Sequence, residues 1–238
     1  LFKRTGSTGL RQLDSFILSR TAGVARKGSL STPVGVVDIS WLESAAAFHD
    51  LSSNPDDYVF SIQRAVVADI PNRNGDCFSR QELHRFNHSN ASPVWGTFSR
   101  KPVYFEHNQV PKDARGLIFK SFIEIEGPYH FVTTLTGVDK RKDASLAQAV
   151  KTNTRPYWSM GCIAEYVTCS VCRRKATTSK EFCSHINNQL GQPVGDVLCY
   201  EILGDVGFIE LSSVADPAAL IAGNGAYDMR DGMAVPVK

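Results

Sequence analysis

The sequence predicts an α+β fold: mainly antiparallel strands forming a barrel or curled sheet, with helices on the outside. Three observations carry this. From Tyr58 onward, apolar residues alternate or run together in short segments, as in Tyr58–Asp69, Val103–Phe105, Gly116–Glu126 and His130–Leu135. Gly127-Pro128 falls between the last two and reads as a hairpin-type break. Helical patterning is confined to short stretches on either side of these segments.

Residues 1–35 are rich in Gly, Ser, Thr and basic side chains. Up to Leu30 they hold Lys3, Arg4, Arg11, Arg20, Arg26 and Lys27 against one acid, Asp14. They read as a mobile basic arm, in which Leu13, Phe16, Ile17 and Arg20 could line one face of a short amphipathic helix. Trp41–Asp50 suits a short helix, because alanine and leucine are good helix formers. Ser52–Asp57 reads as a linker or turn, which closes an N-terminal portion over 1–57. The turn at Asn72-Arg73-Asn74-Gly75-Asp76 alternates like a calcium loop. But Ile70 would hold the first ligand position and Gln81 the twelfth, so a plain Asn-Gly turn is expected. Ser145–Lys151 reads as a helix that Asp143 can cap. Tyr157–Val167 and Val206–Val214 read as strands. The main domain is expected over 58–222, with a tail over 223–238.

A chain of 238 residues fits one domain with appendages, or two small ones. The formal net charge of +2 gives no global push toward nucleic acid or a membrane. No apolar run approaches the ~20 residues a membrane helix needs, and no signal-peptide pattern is visible at the start. Six cysteines could pair in a secreted protein. Three of them, however, crowd together beside a histidine, which points to a reducing compartment and a metal. Cys169, Cys172, Cys183 and His185 form C-x2-C-x10-C-x-H. Thiolate and imidazole in this number suit tetrahedral Zn²⁺, and four protein ligands make the expected ion structural rather than catalytic. Cys162 or Cys199 could take the place of His185.

Three further residues carry candidate chemistry. His107 follows the apolar strand Val103-Tyr104-Phe105, so it can project from a rigid element into a cleft. Ser159 is followed by Gly161, which would let backbone amides approach a developing oxyanion. Glu210 stands in the apolar strand Val206-Gly207-Phe208-Ile209, where a buried carboxylate would need a partner such as histidine. Together they are the parts of a serine acyl-transfer site: a hydroxyl, a base to take its proton, and an acid to fix the base's tautomer.

From about Ile62 to Ala222, the chain resembles the prohead (capsid maturation) proteases of tailed phages, relatives of the herpesvirus assembly proteases. The matching segments are the Asn72–Asp76 turn, Lys101-Pro102-Val103 leading to His107, and Asp113-Ala114-Arg115-Gly116-Leu117-Ile118. They continue with the Leu146-Ala147-Gln148 helix, Trp158-Ser159-Met160-Gly161, and Ile209-Glu210-Leu211-Ser212-Ser213-Val214-Ala215-Asp216-Pro217-Ala218. The resemblance implies Ser159 as nucleophile, His107 as general base and Glu210 as third member; were Glu210 not the third member, Asp205, Asp216 and a second histidine would be the candidates. It implies an endopeptidase acting on phage scaffold and capsid proteins, and on itself, inside a procapsid in the host cytoplasm. Self-association into a homo-oligomer fits the same setting. The zinc module, 165–190, is then an insertion in a protease-like domain over 58–222. Two other readings are a virion structural protein that keeps the fold and the zinc staple without cutting, and a zinc-dependent nucleic-acid-binding protein. The last would use the basic loop at Arg173, Arg174 and Lys175, but no aromatic stacking motif accompanies it.

Overall fold

A computed structural model of the chain describes residues 29–219, except 33 and 156, together with the strand pair Tyr227–Arg230 and Met233–Pro236. Most of the basic arm, and the short helix expected around Leu13 to Arg20, lie outside the described residues. The elements in chain order are β1 (Ser29–Thr32), β2 (Gly35–Asp38), α1 (Leu42–His49), β3 (Tyr58–Val67), β4 (Asp76–Phe78) and α2 (Arg80–His84). Then come β5 (Pro102–Phe105), β6 (Gly116–Glu126), β7 (Tyr129–Asp139) and α3 (Ala144–Lys151). They are followed by β8 (Trp158–Cys169), β9 (Lys175–Ala176), α4 (Ser184–Gln189) and β10 (Glu201–Ser213).

Local chemistry accounts for several boundaries. The Asp143 carboxylate accepts the Leu146 N–H at 2.8 Å and starts α3. The Ser79 hydroxyl does the same for α2, accepting from Glu82 N at 3.0 Å. The β6–β7 hairpin turns at Gly127, whose φ of 57° a side chain would resist. At Asn72, the side-chain oxygen accepts from Asn74 N and Asp76 N, which closes the Asn72–Asp76 turn.

The eight-stranded sheet runs β9-β8-β10-β5-β6-β7-β3, with β4 also beside β10. This corrects the barrel alternative. β3 and β8 come into contact as the sheet curls, but no ladder joins them, and the outer edge of β8 ends in the two-residue β9. Closure needs a ladder between first and last strands, so the sheet is open. It is also mixed rather than wholly antiparallel. β5 and β4 both run parallel to β10, at Val103–Phe105 against Leu211–Ser213 and at Asp76–Phe78 against Glu201–Leu203.

Between these two parallel partners, side chains meet the edge of β10. Glu82 accepts from Val206 N at 2.7 Å, and Thr97 Oγ1 accepts from Phe208 N at 2.9 Å. The backbone therefore keeps its hydrogen bonds where no strand is available.

One core cluster holds Val66, Phe78, Leu83, Phe98, Val103, Ile118, Val138, Leu146, Trp158, Phe208 and Leu211, with Phe98 and Phe208 stacked. A second holds Leu30, Val37, Leu42, Tyr58, Phe60, Leu117, Phe119 and Leu135. Residues 29–57 thus contribute buried side chains to the sheet domain. Strands β3, β6 and β7 send side chains into both clusters. Among the described residues, no helix is long and apolar enough to cross a membrane.

Candidate active site and metal cluster

Alternation along β8 sends Trp158, Met160, Cys162 and Ala164 to the first core, so Ser159 and Gly161 stand on the opposite face. On β10, the matching face would fall on Ile209 if the ladder were regular. It is not: Cys162 pairs with Phe208 and Gly161 with Glu210, leaving Ile209 as an extra residue. This β-bulge lets both Phe208 and Leu211 enter the core while Glu210 turns to the face of Ser159. Ser212 lies directly opposite Ser159 on that face.

Glu210 is 1% exposed. Its carboxylate has two partners. Oε1 accepts from His107 Nδ1 at 2.8 Å, and Oε2 accepts from the Ser212 hydroxyl at 2.6 Å. An Nδ1–H donated to Glu210 leaves Nε2 as the basic nitrogen. The Glu210 hydrogen bond raises the His107 pKa above its ordinary 6.5; partial burial opposes this, and the Glu210 and Glu106 charges add to it.

His107 lies two residues beyond the end of β5, after a turn in which Glu106 and His107 both have positive φ, 49° and 56°. His107 and Ser159 line one cleft of about 250 Å³, together with Arg73, Asn74, Asp216, Pro217 and Ala218. Among the described residues, no hydrogen bond joins the Ser159 hydroxyl to His107; catalytic contacts of this kind are commonly loose until substrate is bound. The cleft is open to solvent.

Gly161 has a role that its spacing did not suggest. A Cβ there would lie 2.9 Å from Glu210 Cγ and closer still to Oε1. The glycine makes room for the carboxylate, and any help to an oxyanion comes second. The far side of the cleft is formed by the Asn72–Asp76 turn. Arg73 is ion-paired with Asp216, and Arg73 N donates to Ala218 O at 2.9 Å. Neither Asp216 nor Asp205 bonds His107: Asp216 pairs with Arg73, and Asp205 with Arg85 at 2.7 Å. Nothing in the local pattern marks Ser212 or the bulge at Ile209, which depend on the β8–β10 register, nor Arg73, whose place in the cleft depends on the distant Asp216–Ala218 segment.

The metal cluster sits at the tip of the β8–β10 hairpin. The donor atoms of Cys169, Cys172, Cys183 and His185 lie within 4.8 Å of one another, which is compatible with a bound metal. A tetrahedron with metal–sulfur bonds of ~2.3 Å has edges of about 3.8 Å; Cys183 Sγ and His185 Nδ1 are 3.9 Å apart. Cys169 ends β8, and Cys172 follows in the next turn. Cys183 precedes α4, whose first N–H groups face its sulfur. Burial opposes ionisation of Cys183, but the Ile186 N–H and the neighbouring thiols lower its pKa to about 6. Burial raises Cys169 to about 11. Cys162 lies on the core face of β8 and does not belong to the cluster. Cys199 is fully buried beside it and interacts with Cys169, but the four-donor group is completed by His185. Leu190, just past α4, touches the Asn72–Asp76 turn: a Cβ on Gly75 would meet Leu190 Cγ at 2.8 Å.

Compared with known proteins, the chain matches no described family, no curated protein and no solved structure.

Proposed function

We propose that the protein is a serine endopeptidase that cleaves scaffold and capsid proteins, and itself, during maturation of a tailed-phage head. One observation carries the reading: a fully buried carboxylate, Glu210, bonds His107 Nδ1, while the same imidazole shares an open cleft with Ser159. Burying a carboxylate is costly unless it is paired, so this arrangement is not a casual surface contact.

In the reaction, Ser159 Oγ attacks the scissile carbonyl carbon while His107 Nε2 takes the hydroxyl proton. Glu210 holds the tautomer and stabilises the imidazolium. His107 then returns the proton to the leaving amine, and the same steps with water release the acyl group from Ser159. Ser212 holds the second carboxylate oxygen, so Glu210 cannot swing away from the ring.

Zn²⁺ is the metal that suits three thiolates and one imidazole, and its role here is structural. With four protein donors, the ion has no open position for a water nucleophile. It cross-links a polar loop, Arg173 to Glu181, that has little apolar content of its own to hold a shape.

A fluorophosphonate probe tests the reading. It should label Ser159 in the wild type and not in Ser159→Ala or His107→Ala, and Ser159→Ala should leave a co-expressed scaffold protein uncut. Processing by the Ser159→Ala protein would exclude the mechanism. An unlabelled but well-folded wild type would favour a virion structural protein that keeps the fold without cutting.

A further inference from the structure

One side chain touches all three chain segments that bear the candidate catalytic groups. Arg155 lies shortly before Trp158, where the nucleophile strand β8 begins. Its Nε donates to Ser213 Oγ at 3.0 Å, and Ser213 ends β10 three positions after Glu210. Its Nη2 is paired with Glu106, the residue before His107. Its guanidinium lies over the Phe105 ring, 4.2 Å from the centroid. Arg155 therefore joins the approach to Ser159, the turn that carries His107, and the end of the strand that carries Glu210.

This point in the fold needs holding. Two consecutive residues with side chains, Glu106 and His107, sit in the left-handed region, which crowds a Cβ and persists only where surroundings enforce it. Glu106 is enforced from three directions. Its N–H donates to Ser213 O at 3.0 Å, its carboxylate accepts from Ala215 N at 3.0 Å, and the same carboxylate takes the Arg155 ion pair. Arg155 and Glu106 are not among the residues that line the cleft.

We propose that Arg155 is a positioning residue: it clasps the ends of β5 and β10 to the approach of β8, and so holds the left-handed turn that aims His107 at Ser159. The proposal rests on the reading of His107 as general base. A lysine would keep the charge but could not bridge Ser213 and Glu106 while lying flat on Phe105.

Arg155→Met tests it through two readouts, turnover and the NMR titration of the His107 ring. The charged groups facing that ring are Glu210 and Glu106, with Arg73 and Asp216 in the same cleft. Removing a nearby cation acts by charge alone to raise the pKa of an imidazole. Loss of the clasp has the opposite sign, because a loosened His107–Glu210 bond lets the pKa fall toward 6.5. The expected result is a fall in the His107 pKa, with kcat lower by roughly 10- to 100-fold and KM little changed, the signature of a misplaced catalytic group. Arg155→Lys should recover only part of the loss, and Ser213→Ala combined with Arg155→Met should be no worse than Arg155→Met alone.

A His107 pKa that stays or rises in Arg155→Met, with kcat unchanged, overturns the proposal, as does additivity of the two substitutions. Should Arg155→Met not fold, Ser213→Ala removes one contact of the clasp with little change of volume and is read in the same way. The titration needs no turnover. A wild type that fails to react with the fluorophosphonate thus sinks the protease reading, and the clasp is still decided by the His107 titration.

Discussion

Gly161 and Glu210 face one another across the β8–β10 ladder, so the smallest side chain at 161 displaces the carboxylate. Gly161→Ala should cost stability by about 1–3 kcal/mol from overpacking. It should also reduce turnover by detaching Glu210 from His107; a melting curve and a rate assay check both. Glu210→Gln, which keeps the volume and loses the charge, should slow turnover by about 10⁴-fold, less than the loss of Ser159. The pH dependence follows from the raised pKa of His107. Catalysis needs the neutral ring, so kcat/KM should rise with pH along a limb lying above about 6.5, and Glu210→Gln should move that limb down. Stability runs the other way. The imidazolium–Glu210 pair contributes fully below about 6.5 and is lost as pH rises through the raised folded value. A pH–rate profile beside a pH–melting series separates the two. Of the candidate residues, His107 after an apolar strand, Ser159 before Gly161 and Glu210 within an apolar strand could be singled out in the sequence, each weak alone and grouped by the resemblance. Glu106, Arg155, Ser212 and the role of Gly161 could not, since each acts through a neighbour distant in sequence.

The strands with strong local pattern were readable as elements: Gly116–Glu126 has the same bounds in sequence and structure, and the α3 cap at Asp143 does its expected work. What local pattern does not encode is which strand lies beside which. The parallel placement of β4 and β5 on β10 is set by long-range packing and by the Glu82 and Thr97 contacts at its edge. The bulge is likewise invisible until β8 and β10 are paired. Deleting Ile209 should make that ladder regular while keeping Phe208 opposite Cys162 and Glu210 opposite Gly161, on the face of Ser159. Fluorophosphonate labelling of Ser159 should persist in that variant; its loss in a folded variant would show that the bulge itself, and not the register alone, places Glu210. The metal module behaves as a separate element. The purified protein should hold about one equivalent of zinc per chain. Chelation should lower the melting temperature and speed amide exchange between Cys169 and Cys199, and then in the Asn72–Asp76 turn through the Leu190–Gly75 contact. Metal analysis and hydrogen exchange read these separately. Instant, reversible loss of activity with no melting shift would place the metal in the chemistry instead.

Across the molecule, Ser159 and Cys169 stand at opposite ends of one strand, roughly 33 Å apart at the usual rise per residue. The two sites are joined by rigid β structure and by the Leu190 contact, without a shared ligand. The class of fold could be read from the chain, because turn signals and strand runs add up to α+β. Its open edge could not, because closure depends on whether the first and last strands meet. The His107–Glu210 bond spans 103 positions of sequence. It exists only after β10, the last strand of the sheet to be synthesised, has docked between β8 and β5. Such distant pairings form late, since loop closure must precede the contacts that reward it. Under the proposed function, in which the protein cuts its own assembly partners and itself, this order of events would be protective. A nascent or half-folded chain would have a serine and a histidine but no aligned base, and on that reading could not cut before the fold is complete. In refolding from denaturant, reactivity of Ser159 toward a fluorophosphonate should therefore appear with the slowest phase, after most secondary structure has returned.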